Sequence, residues 1–177
     1  MHTITKYLTL IITMITGGLT NISTHGLEIP IVKQNSGLYL STPSRYVYKG
    51  INPNNYLKFN NELWRIISFE PDGTIKIIKT ENLQNIPFDA NNQNNWETST
   101  LNKYLNNNYY LSLPKEIQNQ IVNHTWNIGA VYKNQKAGEA LKYTVEEEKE
   151  QITTAKIGLI SMSEYIEAMD NSKTCGN

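Results

Sequence analysis

The residues of this chain with reactive potential are a histidine, two groups of carboxylates, three tryptophans and one cysteine. His124 lies in Asn123-His-Thr-Trp126 and is the sole histidine outside the first 26 residues. A metal centre or an acid–base site would set a second histidine, a carboxylate, a serine or a cysteine at a recognisable spacing from it. None stands there, so His124 reads as a half-buried, hydrogen-bonded imidazole. The run Glu146-Glu147-Glu148-Lys149-Glu150 lacks the alternating oxygen ligands and the glycine of a calcium loop and reads as solvated charge. Glu70-Pro71-Asp72, followed by Gly73, is turn chemistry: proline fixes φ and glycine accepts the left-handed position. There is no G-x-S-x-G, H-E-x-x-H, phosphate loop or C-x-x-C. The residues therefore name no catalytic, cofactor-binding or metal-binding position, and the chain is read as a non-enzyme that needs no cofactor.

Cys175 is the only cysteine. It is a free thiol, an intermolecular link, or half of a disulfide whose partner is missing. Aromatic side chains stack on sugars and anchor interfaces when exposed. Trp64 and Trp126 are expected in the core, whereas Trp96, in an asparagine-rich loop, is expected to be partly exposed and is the candidate ligand-binding residue.

Sixteen basic and sixteen acidic residues balance, which argues against a nucleic-acid partner drawn by charge. The 23 asparagines, good turn formers and poor helix formers, favour a loop-rich β or α+β fold. Residues 1–26 open with one lysine and an apolar run from Tyr7 to Leu19. That run is shorter than the ~20 residues that span a bilayer and fits an export signal or an N-terminal anchor. Residues 27–44, with Pro30, Gly37 and Pro43, read as an irregular lead-in, and residues 45–177 as one domain. Contact with a membrane is expected only through the N-terminal segment, if it is uncleaved.

The elements that must carry these residues centre on Tyr56–Leu83, which reads as three strands of an antiparallel meander. Its turns fall at Asn60-Asn61 and Pro71-Asp72-Gly73. Strict alternation would put Trp64, Ile66 and Ser68 on one face of the middle strand and Leu63, Arg65, Ile67 and Phe69 on the other. Tyr46–Tyr48 is a short strand before it. The spacing of Leu101, Tyr104 and Leu105 predicts a helix over 100–107 capped by Ser99 or Thr98, and Pro114 is expected at the first position of another. Strands are expected at 126–132 and 156–160, and a helix over 137–145 that frays or forms an insertion at the acidic run. Ser161 and Glu164 form a capping box for a helix over 162–169 that turns Tyr165, Ile166 and Met169 inward.

The words RYVYKG (45–50), NPNNYLKFNNELWRI (52–66), DGTIKII (72–78), LNKYLNNNYY (101–110), HTWNIGAV (124–131) and KIGLISMSEYIEA (156–168) resemble, in this order, a functionally uncharacterised family of secreted or surface-anchored domains of Gram-positive bacteria. The resemblance implies a C-type lectin-like fold, shared with the formylglycine-generating-enzyme superfamily. It also implies that the chain stops before the end of that domain, so that Cys175 is half of a disulfide without its partner. No lectin calcium motif and no paired active-site cysteines of the enzyme superfamily carry over to any position. The expectation is an exported, extracellular or cell-surface recognition or adhesion domain with a partial C-type lectin-like, α+β fold, whose partner is an extracellular protein or glycan. The alternatives are an enzyme or enzyme remnant of that superfamily, and a structural subunit of a surface appendage.

Overall fold

A computed structural model describes residues 10–15, 37–83, 85–129 and 147–169. Nine strands are described: β1 (Leu10–Ile15), β2 (Leu38–Thr42), β3 (Arg45–Tyr48), β4 (Tyr56–Phe59), β5 (Glu62–Phe69), β6 (Thr74–Lys79), β7 (His124–Asn127), β8 (Ile152–Ala155) and β9 (Ile157–Leu159). The larger sheet runs β2-β3-β5-β6-β1-β9 with β4 also on β5, and β7-β8 is a separate hairpin. Every pairing is antiparallel. With a few short helices against these sheets, the fold is α+β and no barrel closes.

The meander forms where its turn residues place it. Asn60 (φ 50°) and Asn61 (φ 59°) supply the positive φ of a two-residue hairpin between β4 and β5. Gly73 (φ 85°) supplies it between β5 and β6, where Asp72 accepts from the Thr74 amide (2.9 Å) and hydroxyl (2.7 Å).

One departure shapes the site. Ile66 opposes Ile77 but Ser68 opposes Lys76, so Ile67 is the extra residue of a β-bulge. Directly opposed residues share a face. Phe69 therefore joins Trp64 and Ile66 on the Ile75/Ile77 face, while Ser68 crosses to the face of Lys76. Strict alternation fails here because the bulge resets the period in mid-strand.

On the Trp64 face the core gathers Phe59, Trp64, Ile75, Ile77, Leu105 and Ile157. It is closed by a helical run made of α1 (Thr100–Lys103), a π-helical segment (Tyr104–Tyr109) and α2 (Tyr110–Ser112). Ser99 caps it by accepting from the Asn102 amide at 3.0 Å. The run extends past the expected end at 107. In its π-helical segment the Asn106 side chain meets both backbone polar groups of Ile157 at 3.0 Å, which rewards the wider turn. Pro114 is the N-cap of α3 (Lys115–Gln120) rather than its first residue.

Other expectations shift. Leu10–Ile15, within the 1–26 segment, is a strand of the main sheet, and Leu38–Thr42, within the 27–44 lead-in, is another. β7 starts at His124, and residues 152–159 form two strands divided at Lys156. α4 (Met162–Ala168) has the expected capping box, Glu164 accepting from the Ser161 amide (3.0 Å) and Ser161 from the Glu164 amide (3.2 Å). Tyr165, however, is 58% exposed, because α4 turns the polar residues Ser163, Glu164 and Glu167 inward instead. The helix expected at 137–145 and Cys175 lie outside the described residues.

Candidate functional site

The bulge, the β6 register and the inward polar face of α4 converge on a cleft of about 340 Å³. Its floor is Lys76, set on the non-core face of β6. The Lys76 ammonium lies 2.5 Å from Glu164 on α4 and 5.0 Å from the centre of the Trp126 ring. Burial alone would push the Glu164 carboxyl up, but Lys76, the Ser161 amide and Arg45 outweigh it and hold it below the ordinary range. At neutral pH Glu164 is therefore a carboxylate.

At the other end Arg45, from β3, spreads its fork over two carboxylates. Its Nε donates to Glu70 (3.2 Å), and its Nη1 donates to Glu167 on α4 (2.7 Å) and reaches Ser41 at 3.4 Å. Ser41 also donates to Glu167, and Ser68, carried to this face by the bulge, donates to Glu70. Burial opposes the Arg45 charge, yet Glu70 and Glu167 raise its pKa above the usual arginine value. The turn reading of Glu70-Pro71-Asp72 accounts for the backbone there: the Gly73 amide donates to the Glu70 carbonyl at 3.0 Å. The Glu70 side chain has this second use.

His124 lines the same cleft from β7, its ring edge-on to Trp126 with centroids 4.8 Å apart. Burial first, and the Lys76 charge second, lower its pKa below the usual 6.5, against the pull of Glu70, Glu164 and Asp72. At neutral pH His124 is an uncharged imidazole. It is half-buried, as the sequence implied.

Trp126 separates this cleft from a second hollow of about 370 Å³. Its indole donates to the Ala155 carbonyl (3.0 Å) and lies against Gly158, where an added Cβ would come within 2.5 Å of the ring. Trp96 lines the second hollow but is only 7% exposed, packed 6.3 Å from Phe88 within the core. The expectation of partial exposure fails because the asparagine-rich loop around it is ordered. Asp89 gathers the amides of Asn91, Gln93 and Thr100 at 3.0–3.2 Å, and Ser99 ties back to the Trp96 carbonyl. These amides hold the Asp89 carboxyl low, the Gln93 amide most of all.

The acidic run is not simply solvated. Glu148 is 3% exposed, and its carboxylate accepts from the amides of Met162 (2.6 Å) and Ser163 (3.2 Å) and from the Ser163 hydroxyl, capping α4 from outside that helix. Its carbonyl also accepts from the Gly129 amide at 3.0 Å, while the Ile128 amide donates to Gln151 at 2.8 Å. An added Cβ at Gly129 would stand 2.2 Å from the Glu147 carbonyl oxygen. Residues 129 and 148 are therefore pinched together.

The cleft holds fixed donors and acceptors. Its hydroxyls belong to serines and threonines, and among the described residues no group of three or more histidine, cysteine or acidic side chains is placed to hold a metal. Sequence marked none of Arg45, Lys76, Glu164 and Glu167 as a site residue, Glu164 being read only as part of the capping box. The legible signal was Lys76, a charge set between Ile75 and Ile77 in the strand Thr74–Lys79.

Residues 72–176, more than half of the chain, match a family described as a domain of unknown function (DUF6273). The chain belongs to that family. The matched stretch carries Lys76, His124, Glu164 and Glu167, whereas Arg45 and Glu70 precede it. No curated protein and no solved structure matches the chain.

Among the described residues no helix is long and apolar enough to cross a membrane.

Proposed function

We propose that the chain is an exported, non-enzymatic recognition domain with a C-type lectin-like architecture. Its cleft between β3, β6, β7 and α4 binds the hydroxyl-rich end of a glycan. The observation that carries this reading is the pre-paired charge array: Arg45 with Glu70 and Glu167, and Lys76 with Glu164, at 2.5–3.2 Å around an open volume. Ionised carboxylates with spare lone pairs accept from sugar hydroxyls, and guanidinium and ammonium groups donate to ring and hydroxyl oxygens. Because the groups are already fixed by one another, a ligand would not have to order them. The volume sits at the small end of the ~300–1,000 Å³ typical of ligand sites, which suits a terminal sugar rather than a long chain.

The non-enzymatic part rests on the charge states. Acid–base catalysis near neutrality wants a carboxyl raised or a lysine lowered toward pH 7. Here Glu164 is lowered and Arg45 is raised, so neither is tuned toward neutrality. The lectin-like architecture draws support from the antiparallel sheet with short flanking helices. Export draws support from the leader-like composition of residues 1–26.

The test is a soluble-glycan array with the full chain, followed by calorimetric titration of each hit and of the Arg45→Ala and Glu167→Gln variants. Saturable binding that both variants weaken supports the proposal. Binding untouched by either variant, no hit at millimolar sugar, or turnover of the ligand would overturn it.

A further inference from the structure

We propose that the gap between β6 and β9 is an acceptor site for an extended apolar peptide strand, and that Leu10–Ile15 is an exchangeable occupant of it. β1 sits inside the sheet, antiparallel to both neighbours. Ile11 opposes Ile78 on one side and Gly158 on the other, and Ile12 opposes Ile77 and Ile157. Neither of these neighbours is joined to it by a hairpin, since β6 and β9 both lie far along the chain from it. The next described strand, β2, lies at the far edge of the sheet, with β3, β5 and β6 between it and β1. A hairpin turn fixes a strand's register and keeps it in place; β1 is paired with β6 and β9 without one.

The gap is built to be filled. β6 is buried at four consecutive positions, Thr74 through Ile77, as a strand covered on both faces must be. With the gap open, its backbone groups facing β1 would lose their partners in buried surroundings, which is costly. β9 has three residues, and the Asn106 amide already takes the Ile157 N–H and C=O, so β1 is its strand partner in the sheet. An extended peptide that supplies a ladder on both sides would be recognised by main-chain pairing, with β-branched and apolar side chains fitting the pleat. Leu-Ile-Ile-Thr-Met-Ile is of that kind.

The same residues carry the leader-like pattern of residues 1–26. A strand in the sheet and a removable leader are mutually exclusive uses of one segment. Separation of that segment from the body therefore opens the slot to an incoming strand of the same chemistry. This inference stands apart from the cleft and does not depend on it.

The experiment uses the full chain with a protease site inserted between His25 and Gly26, folded first and then cut. Co-elution of the cut N-terminal piece with the body is expected. After that piece is released by a denaturant pulse, a fluorescent peptide of residues 7–18 should bind saturably and restore the melting transition. The Ile12→Pro peptide, which removes a ladder donor, should bind at least about ten-fold more weakly. Loss of the piece with the circular dichroism and melting of the body unchanged would overturn the proposal. So would failure of the labelled peptide to bind, or equal binding by the Ile12→Pro peptide.

Discussion

Replacing Glu164 by glutamine isolates one charge in the cleft. Glutamine keeps the length and the carbonyl oxygen that can reach back to the Ser161 amide, so the capping box can persist. What disappears is the negative charge 2.5 Å from Lys76, in a pair whose side chains are 7% and 11% exposed. Breaking a buried pair by removing one partner costs about 3–5 kcal/mol, because the other charge stays buried without compensation. The cleft opens to solvent on one side, which favours the lower end. For a chain of this size each kcal/mol shifts the melting temperature by about 2–4 °C, so a loss of about 6–12 °C is expected.

The pH dependence supplies the sign. The folded Glu164 carboxyl titrates below its ordinary value of 4.5, so its contribution is complete above pH 4.5 and lost as pH falls through the folded value. The wild-type chain should lose its advantage over the variant on that acid limb. Urea denaturation of both proteins at pH 7 and on the acid side measures this, with Lys76→Met/Glu164→Gln as the double variant. The double variant should recover part of the loss, since an apolar pair has no charge to desolvate. A single-variant loss below about 1 kcal/mol, the range of an exposed ion pair, would refute the reasoning.

Three further outcomes are expected. His124 titrates below 6.5 in the folded chain, so stability is full above pH 6.5 and falls as the unfolded imidazole takes up its proton below it. His124→Asn should flatten that slope, and the His124 ring resonances followed by NMR should titrate below 6.5. Glu148→Ala leaves the Met162 and Ser163 amides without their acceptor and should cost about 1–2 kcal/mol, read by urea denaturation with α4 the first segment to gain amide exchange. Gly158→Ala drives a methyl into the Trp126 ring, which its bond to Ala155 holds in place. A loss of about 1–3 kcal/mol and a changed near-ultraviolet tryptophan signal are expected.

What sequence could reveal followed the range of the interactions. The two meander turns, the Ser99 cap and the Ser161–Glu164 box are settled within four residues of chain, and each stands where its residues predict. The cleft is assembled by contacts across great separations: Lys76 meets Glu164 and Arg45 meets Glu167, with 88 and 122 residues between their positions. No local pattern encodes such a meeting. Two signals misled. Periodicity turned the apolar Tyr165 inward, although buried partners for Glu164 and Glu167 were waiting on the sheet. Alternation could not anticipate the bulge at Ile67, which carries Ser68 across to Glu70. Glu148 was hidden among acidic neighbours, since nothing local marks it as the carboxylate that reaches the start of α4.

The pinch between Gly129 and Glu148 has an engineering consequence. Two backbone hydrogen bonds, Gly129 to Glu148 and Ile128 to Gln151, clasp the chain on either side of residues 130–146. Any graft made beyond these stems should spare Gly129 and Glu148, whose clasp keeps the two stems in register. A side chain added at position 129 would meet the Glu147 carbonyl oxygen and force the clasp open.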